Sequence, residues 1–276
     1  MKEKQFRLVL AFGLASFVVS AAEAEVGDEI RFCDDCPVFV EVPAPPEDLR
    51  QIRYVAKFEL TWKDYLKSVT GGDCTMPKNL SYQLAPEPEI IERMSIDWTV
   101  GDLNIHQIQC FANWVGRHTD LKIDLPETEE WKWFARAGTE GRYPWGDEAN
   151  KEMAMVRGTK SFSIHGFSYG LMFDRDGPYP EGGPVGQFAP NNFGLFDIIG
   201  NHAELSKSAV DTHAYFKTKG LEAPQFKGRL SYPVLGGSYM NKIEDARIDR
   251  VKWSFSSPEG EIVTSVAVRL IAYSDR

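Results

Sequence analysis

The sequence predicts an α+β domain with little regular secondary structure, its helices in the first half and short strands with ordered loops in the second. Two observations carry this. Before Gly138, three stretches show helix-end signals or apolar residues at three- and four-residue steps, and a β-branched run precedes them. From Gly141 onward Gly, Pro, Asn and Asp are dense and helical periodicity is lost, leaving short strands between loops. Long ordered loops in a compact domain are usually functional. Metal ions, buried tryptophans or disulfides are the expected means of holding them.

Residues 1–24 read as a secretory signal peptide. Lys2, Lys4 and Arg7 precede an apolar stretch from Leu8 to Val19, and Ala22-Glu23-Ala24 fits a small-x-small cleavage site. That stretch is too short to cross a bilayer of roughly 30 Å as a helix, and no later segment is apolar enough to do so. The expected product is a single domain over 25–276, periplasmic or secreted, undivided by any Gly/Ser or Pro linker.

Val38 to Val42 is a short early strand, and Pro43-Ala44-Pro45-Pro46 turns the chain after it. Thr61 is an N-cap with Asp64 placed to meet the orphan amides, opening a helix that Gly71-Gly72 stops. A second helix fits Asp102 to Val115, with Ile105, Ile108, Phe111, Ala112 and Val115 on one face. In the third, Pro126 suits the first turn, Glu127, Glu129 and Glu130 face the positive end, Lys132 and Arg136 the negative end, and Gly138 stops it.

Removing the leader takes away three positive and two negative charges, moving the formal net charge from −9 to −10. An acidic chain lacks the Lys/Arg excess needed to displace counterions from a phosphate backbone, so nucleic acid is excluded as a partner. The four cysteines, Cys33, Cys36, Cys74 and Cys110, favour two disulfides in an oxidising compartment. Three pairings are open; we take Cys33–Cys36 with Cys74–Cys110. Cys33-x-x-Cys36 also reads as a redox pair or a soft-metal site. Among the histidines, His106 and His118 lie twelve apart, which is no metal spacing, while His165 and His213 are lone loop residues.

A run of phrases in fixed order carries more. Cys110-Phe111-Ala112-Asn113-Trp114, Leu125-Pro126-Glu127-Thr128-Glu129-Glu130-Trp131, Tyr143-Pro144-Trp145-Gly146-Asp147, Asn192-Phe193-Gly194-Leu195-Phe196-Asp197, Gly200-Asn201 and Gly236-Gly237-Ser238-Tyr239 span nearly the whole chain. Together they resemble the formylglycine-generating enzyme (sulfatase-modifying factor) family. The resemblance implies a C-type-lectin-like α+β fold, often with calcium. It places calcium ligands at the side chains of Asp197 and Glu204 and the carbonyls of Gly200 and His202. Hard oxygens from carboxylates and a tight loop suit that ion. A second calcium site is weak here: Asp176 stands at one acidic position, but Met155 replaces the partner asparagine, and a thioether is a poor calcium ligand.

Members of the family use two cysteines after the Gly-Gly-Ser motif to hold copper(I) and oxidise a substrate cysteine. Here Asn241 and Ala246 stand at those positions, and no cysteine follows Cys110. The family's Gly-Asn-x-Trp-Glu-Trp loop reads Gly200-Asn201-His202-Ala203-Glu204-Leu205, and the closing Gly-Phe-Arg reads Ala267-Val268-Arg269. Copper and formylglycine synthesis are therefore not expected. What remains is a candidate pocket of Ser238, Tyr239, Asn241, Glu244, Asp245, Arg247, Arg250 and Trp253, set against the alternative that Arg247, Asp249 and Arg250 form surface ion pairs. The expected role is an exported maturation or accessory factor acting on an exported protein, peptide or small metabolite, as in periplasmic members that assist siderophore maturation without those cysteines. The alternative is a non-catalytic lectin-like binding module.

Overall fold

Each α-helix in the computed structural model, which describes residues 26–77, 97–101, 103–159, 162–164, 167–169, 183–255 and 266–274, begins at a residue that caps it. Thr61 accepts the Asp64 N–H and opens α1, Trp62–Thr70, which buries Trp62, Tyr65 and Ser68. The second helix, α2, runs Ile105–Gly116 and starts later than the periodicity suggested. Asn104 and Gln107 form a reciprocal capping box, which fixes Ile105 as the first helical residue; Asp102 lies outside the described residues. In α3, Thr128–Arg136, Glu127 is the cap, so Pro126 precedes the helix instead of sitting in its first turn. Glu130 reaches back to the Glu127 N–H at 2.7 Å, and Ala137 and Gly138 end the helix in left-handed conformation.

The second half holds one helix the sequence pattern did not announce. Helix α4, Thr212–Thr218, is only seven residues long, too short for a periodicity to declare itself. Asp211 starts it by accepting the Ala214 N–H at 2.9 Å, and its other oxygen accepts the Gly228 N–H, tying the helix to the following loop.

Two sheets carry the rest. The first is antiparallel, in the order Glu29–Ile30 (β1), Phe39–Glu41 (β2), Gln51–Ala56 (β3), Ile271–Ser274 and Lys122–Asp124 (β4). The strand nearest the C-terminus thus lies between two from the first half, with Ile271 opposite both Val55 and Asp124. The hairpin Phe162–Ile164 (β5) and Phe167–Tyr169 (β6) stands apart. The second sheet comprises Ala203–Leu205 (β7), Val210–Asp211 (β8), Leu230–Leu235 (β9), Lys252–Phe255 (β10) and Val266–Ala267 (β11), with β7 and β11 parallel. The chain crosses from β11 to the final strand, β12, in three residues: Val268, Arg269 and Leu270.

The core forms two clusters. One gathers Phe39, Tyr54, Tyr65, Phe111 and Trp114 around α1 and α2; the other gathers Trp131, Phe134, Tyr143, Leu195, Leu235 and Ile248. Both disulfides, Cys33–Cys36 and Cys74–Cys110, pair as taken from the sequence and lie at the first cluster. Neither holds the loops of the second half. Buried Trp131 does, together with polar side chains such as Asn191, whose amide donates to the Phe134 and Ala135 carbonyls at the end of α3. Among the described residues no helix is long and apolar enough to cross a membrane. The expected leader, 1–24, lies outside them.

Candidate functional site

Arg269, on the step between the two sheets, is completely buried and uses all its donors. Its Nε donates to both oxygens of Glu204 at 3.0 Å, and Nη2 donates to Glu204 at 2.6 Å and to the Phe196 carbonyl. Nη1 donates to the carbonyls of Ala56 and Lys57 at 2.8 and 2.9 Å, where β3 ends. The Trp131 indole N–H closes the site on Glu204 at 2.7 Å. One guanidinium thereby joins both sheets, α3 and the loop entering β7. A planar fork of five donors suits this, where a lysine would supply a point charge.

Two more carboxylates are buried nearby. Glu59 accepts from the His202 N–H at 3.0 Å, from Thr99 Oγ1 at 2.9 Å and from the Asn201 amide. Burial, then the charges of Asp197 and Glu204, raise its pKa well above the usual range. Asp197 accepts the Gly186 N–H, and burial pushes its pKa up to about 6. Three acids thus face one buried arginine. The loop between them is tightly coiled: Asp197, Gly200 and Asn201 all have positive φ, and a Cβ at Gly200 would strike the Met155 carbonyl.

The calcium ligands implied by the sequence stand here, and the fit is partial. Both Glu204 oxygens are engaged by Arg269 and Trp131, so that carboxylate is not free for an ion as expected. Among the described residues Asp197 is held by one N–H, and the surplus of buried negative charge is the feature a cation would relieve. Asp176, the acid of the second site, lies outside the described residues; Met155 is fully buried in the core.

His202 presents its ring to Tyr239 at 5.8 Å, and its Nδ1 is buried without a hydrogen-bond partner among the described residues. Burial lowers its pKa to about 4, so the ring is neutral. The Tyr239 N–H donates to the Asn201 carbonyl at 2.8 Å, so the expected metal loop and the Gly-Gly-Ser segment are neighbours. In that segment Asn241 Oδ1 accepts the Ser238 N–H at 2.9 Å, closing a turn. Ala246 is fully buried against Gly237: a Cβ on that glycine would lie 2.6 Å from the Ala246 Cβ. The charged members pair with each other. Arg247 makes a two-bond ion pair with Asp249, both at 2.8 Å, and Arg250 pairs with Asp245. Trp253 packs on Tyr215 of α4, ring centroids 5.0 Å apart, and Glu244 is exposed. Tyr239 faces His202, Ser238 is buried against Asn241, and the charges beyond them form a surface set.

A cleft of about 150 Å³ lies beside Asp197, lined by Trp145, Met153, Phe188, Asn191 and Asn192 among others. Glu59, Thr99 and Trp131 escaped the sequence reading of the site. The one available signal for Glu59 was a carboxylate set between Phe58 and Leu60 just ahead of a helix cap.

A lectin-like α+β scaffold whose two sheets are locked by a buried arginine, beside a Gly-Gly-Ser turn, defines a sulfatase-modifying-factor type of domain. A model of the family described as "Sulfatase-modifying factor enzyme 1-like domain" matches residues 15–271, and the chain belongs to that family. It is 34% identical over 105 residues to the formylglycine-generating enzyme of Mycobacterium tuberculosis, covering 37% of this chain and 31% of that protein. It is 29% identical over 125 residues to the "Inactive C-alpha-formylglycine-generating enzyme 2" of Mus musculus, covering 42% and 34%. These matches span about a third of each curated relative. Among solved structures, PvdO from Pseudomonas aeruginosa superposes with a TM-score of 0.58 at 17% identity, covering 91% of this chain and all of that one. CarF gives 0.53 at 17% identity, covering 80% and 86%. Identities that low establish the fold alone.

Proposed function

We propose that this chain is an exported, non-oxidising member of the sulfatase-modifying factor family, working as a maturation or accessory factor. One observation carries the reading. The two positions that would present copper thiolates hold Asn241, spent on a backbone turn, and Ala246, packed under Gly237. All four cysteines are paired in disulfides, and Cys33 and Cys36 belong to the other core cluster. Carboxylates and amides do not replace thiolates for copper(I). The similarity to inactive relatives and the two disulfides support an accessory role outside the reducing cytosol. Incubation of the chain with a sulfatase-type cysteine peptide, copper(I) and oxygen, read by mass spectrometry, is expected to return the cysteine unchanged. Formylglycine in the product would overturn the proposal.

The second reading, a lectin-like binding module for a peptide or glycan, is favoured by the self-paired charges of Asp245, Arg247, Asp249 and Arg250. Acid–base work needs a group poised to exchange a proton, and these are tied in surface pairs. Calcium is proposed in a narrower form than the resemblance drew. Asp197 with the loop carbonyls of Gly200 and His202 would hold the ion, and it would supply charge neutralisation. Calcium is then expected to raise the melting temperature of chelator-treated protein, and Asp197→Asn to abolish the rise. An unchanged melting curve would remove the ion from this reading.

A further inference from the structure

Cys33, Cys36 and His118 come together although the last two lie 82 positions apart in the chain. The two sulfurs and one imidazole nitrogen all lie within 4.8 Å of one another, the one such cluster of metal-ligating side chains among the described residues. The cysteines share a tight turn in which the Cys36 N–H donates to the Cys33 carbonyl at 3.1 Å. Arg31 donates to the Cys36 carbonyl, and Lys67 of α1 pairs with Asp35 at 2.9 Å, so the turn is held from both sides. His118 follows the end of α2, where Trp114 meets its ring edge-on at 5.9 Å. A helix C-terminus favours positive charge. Cys36 is fully buried, Cys33 half-buried and His118 exposed, so the group opens to solvent on the histidine side.

Two cysteines in C-x-x-C spacing plus one histidine form a three-ligand zinc set with one position left open. In the oxidised chain the sulfurs are bonded to each other and cannot ligate. We propose that reduction of the Cys33–Cys36 disulfide opens a site for a borderline-soft d¹⁰ cation of the zinc(II) type, held by Cys33, Cys36 and His118 with solvent in the fourth position. A dithiol of the oxidoreductase kind supplies two electrons and two protons and becomes a disulfide itself. Cys33 and Cys36 become thiols, and metal binding then releases those two protons as both sulfurs ligate as thiolates. The site lies at the first core cluster, apart from the Gly236–Ala246 segment, so it stands or falls independently of the proposed function.

The test is zinc(II) alone, added to the full chain before and after reduction and counted by elemental analysis after dialysis. Cobalt(II) serves as a spectroscopic stand-in through its thiolate charge-transfer absorption. The reduced chain is expected to hold one equivalent and the oxidised chain none. Because losing even an outer-layer partner weakens metal sites at least about tenfold, His118→Ala should weaken binding by at least that factor. His118 is exposed, so this variant folds, as near-UV circular dichroism will confirm. Cys33→Ser/Cys36→Ser should bind no zinc under the same reducing conditions. Failure of the reduced chain to bind, binding that survives the double serine variant, or a His118→Ala variant indistinguishable from wild type would each overturn the proposal.

Discussion

Arg269 illustrates how much one side chain can carry when five donors meet five acceptors with no water in between. Replacing it with methionine leaves Glu204 buried without its counter-charge, and breaking such a pair costs about 3–5 kcal/mol. Arg269→Met is therefore expected to lower urea stability by that amount. Adding Glu204→Gln should recover part of the loss, since the orphaned charge goes with it. A loss below about 1 kcal/mol would deny the pair its structural role. Asp197 and His202, five residues apart, set up opposite pH responses. The Asp197 pKa is raised from 3.8 to about 6, so its contribution is full below 3.8 and is lost as pH rises through 6. The His202 pKa is lowered from 6.5 to about 4, so its contribution is present above 6.5 and is lost as pH falls through 4. Each is worth about 3 kcal/mol, and Glu59, whose pKa is also raised by burial, acts in the same direction as Asp197. In chelator-treated buffer the pH profile of Asp197→Asn should shift, relative to wild type, toward losing stability on acidification, and that of His202→Gln toward gaining it. Parallel pH profiles for the two variants would contradict this account.

Elements here are tied mainly by side chains reaching between them. Arg50, beside the start of β3, donates to Glu130 of α3 at 2.7 Å and to Asp124 of β4 at 3.1 Å, and lies over the Tyr273 ring of β12 at 4.6 Å. The Cys74–Cys110 disulfide pins α2 to the segment after α1. Closing 36 residues, it should contribute about 3–4 kcal/mol on the chain-entropy estimate, against about 1.5 kcal/mol for the three-residue Cys33–Cys36 link. Denaturation of Cys74→Ala/Cys110→Ala and Cys33→Ser/Cys36→Ser should show that ranking, and equal losses would count against it. The helices were legible because caps and periodicity are local: Thr61 opens α1 as written. Helix α4 was not legible, since its single strong signal is the Asp211 cap.

At the scale of the whole molecule, the chain closes on itself. Strand β12 sits between β3 and β4, while β11, four residues before it, belongs to the other sheet. Neither sheet can be completed without the C-terminal segment, so the two core clusters should unfold together. Truncation after residue 265 removes both strands and Arg269 and is expected to abolish the cooperative transition in thermal unfolding and near-UV circular dichroism. A truncated chain that still melted sharply would show one sheet to be self-sufficient.

The sequence by itself determined the α+β class, three of the helices, the sulfatase-modifying-factor phrases and the loss of thiolates from the Gly-Gly-Ser segment. All of these are written in residue identity or short-range spacing. Only the tertiary structure decided which charges are partners. Glu204, expected to offer its side chain to calcium, faces Arg269, because the short step between β11 and β12 that carries the arginine crosses between the sheets at that point. Asp245 and Arg250, expected to line a pocket, neutralise each other at the surface. His118, dismissed for its spacing from His106, meets Cys33 and Cys36 because α2 carries it to their turn. Burial and counter-charge depend on contacts between residues far apart in the chain, and spacing along a sequence does not encode them.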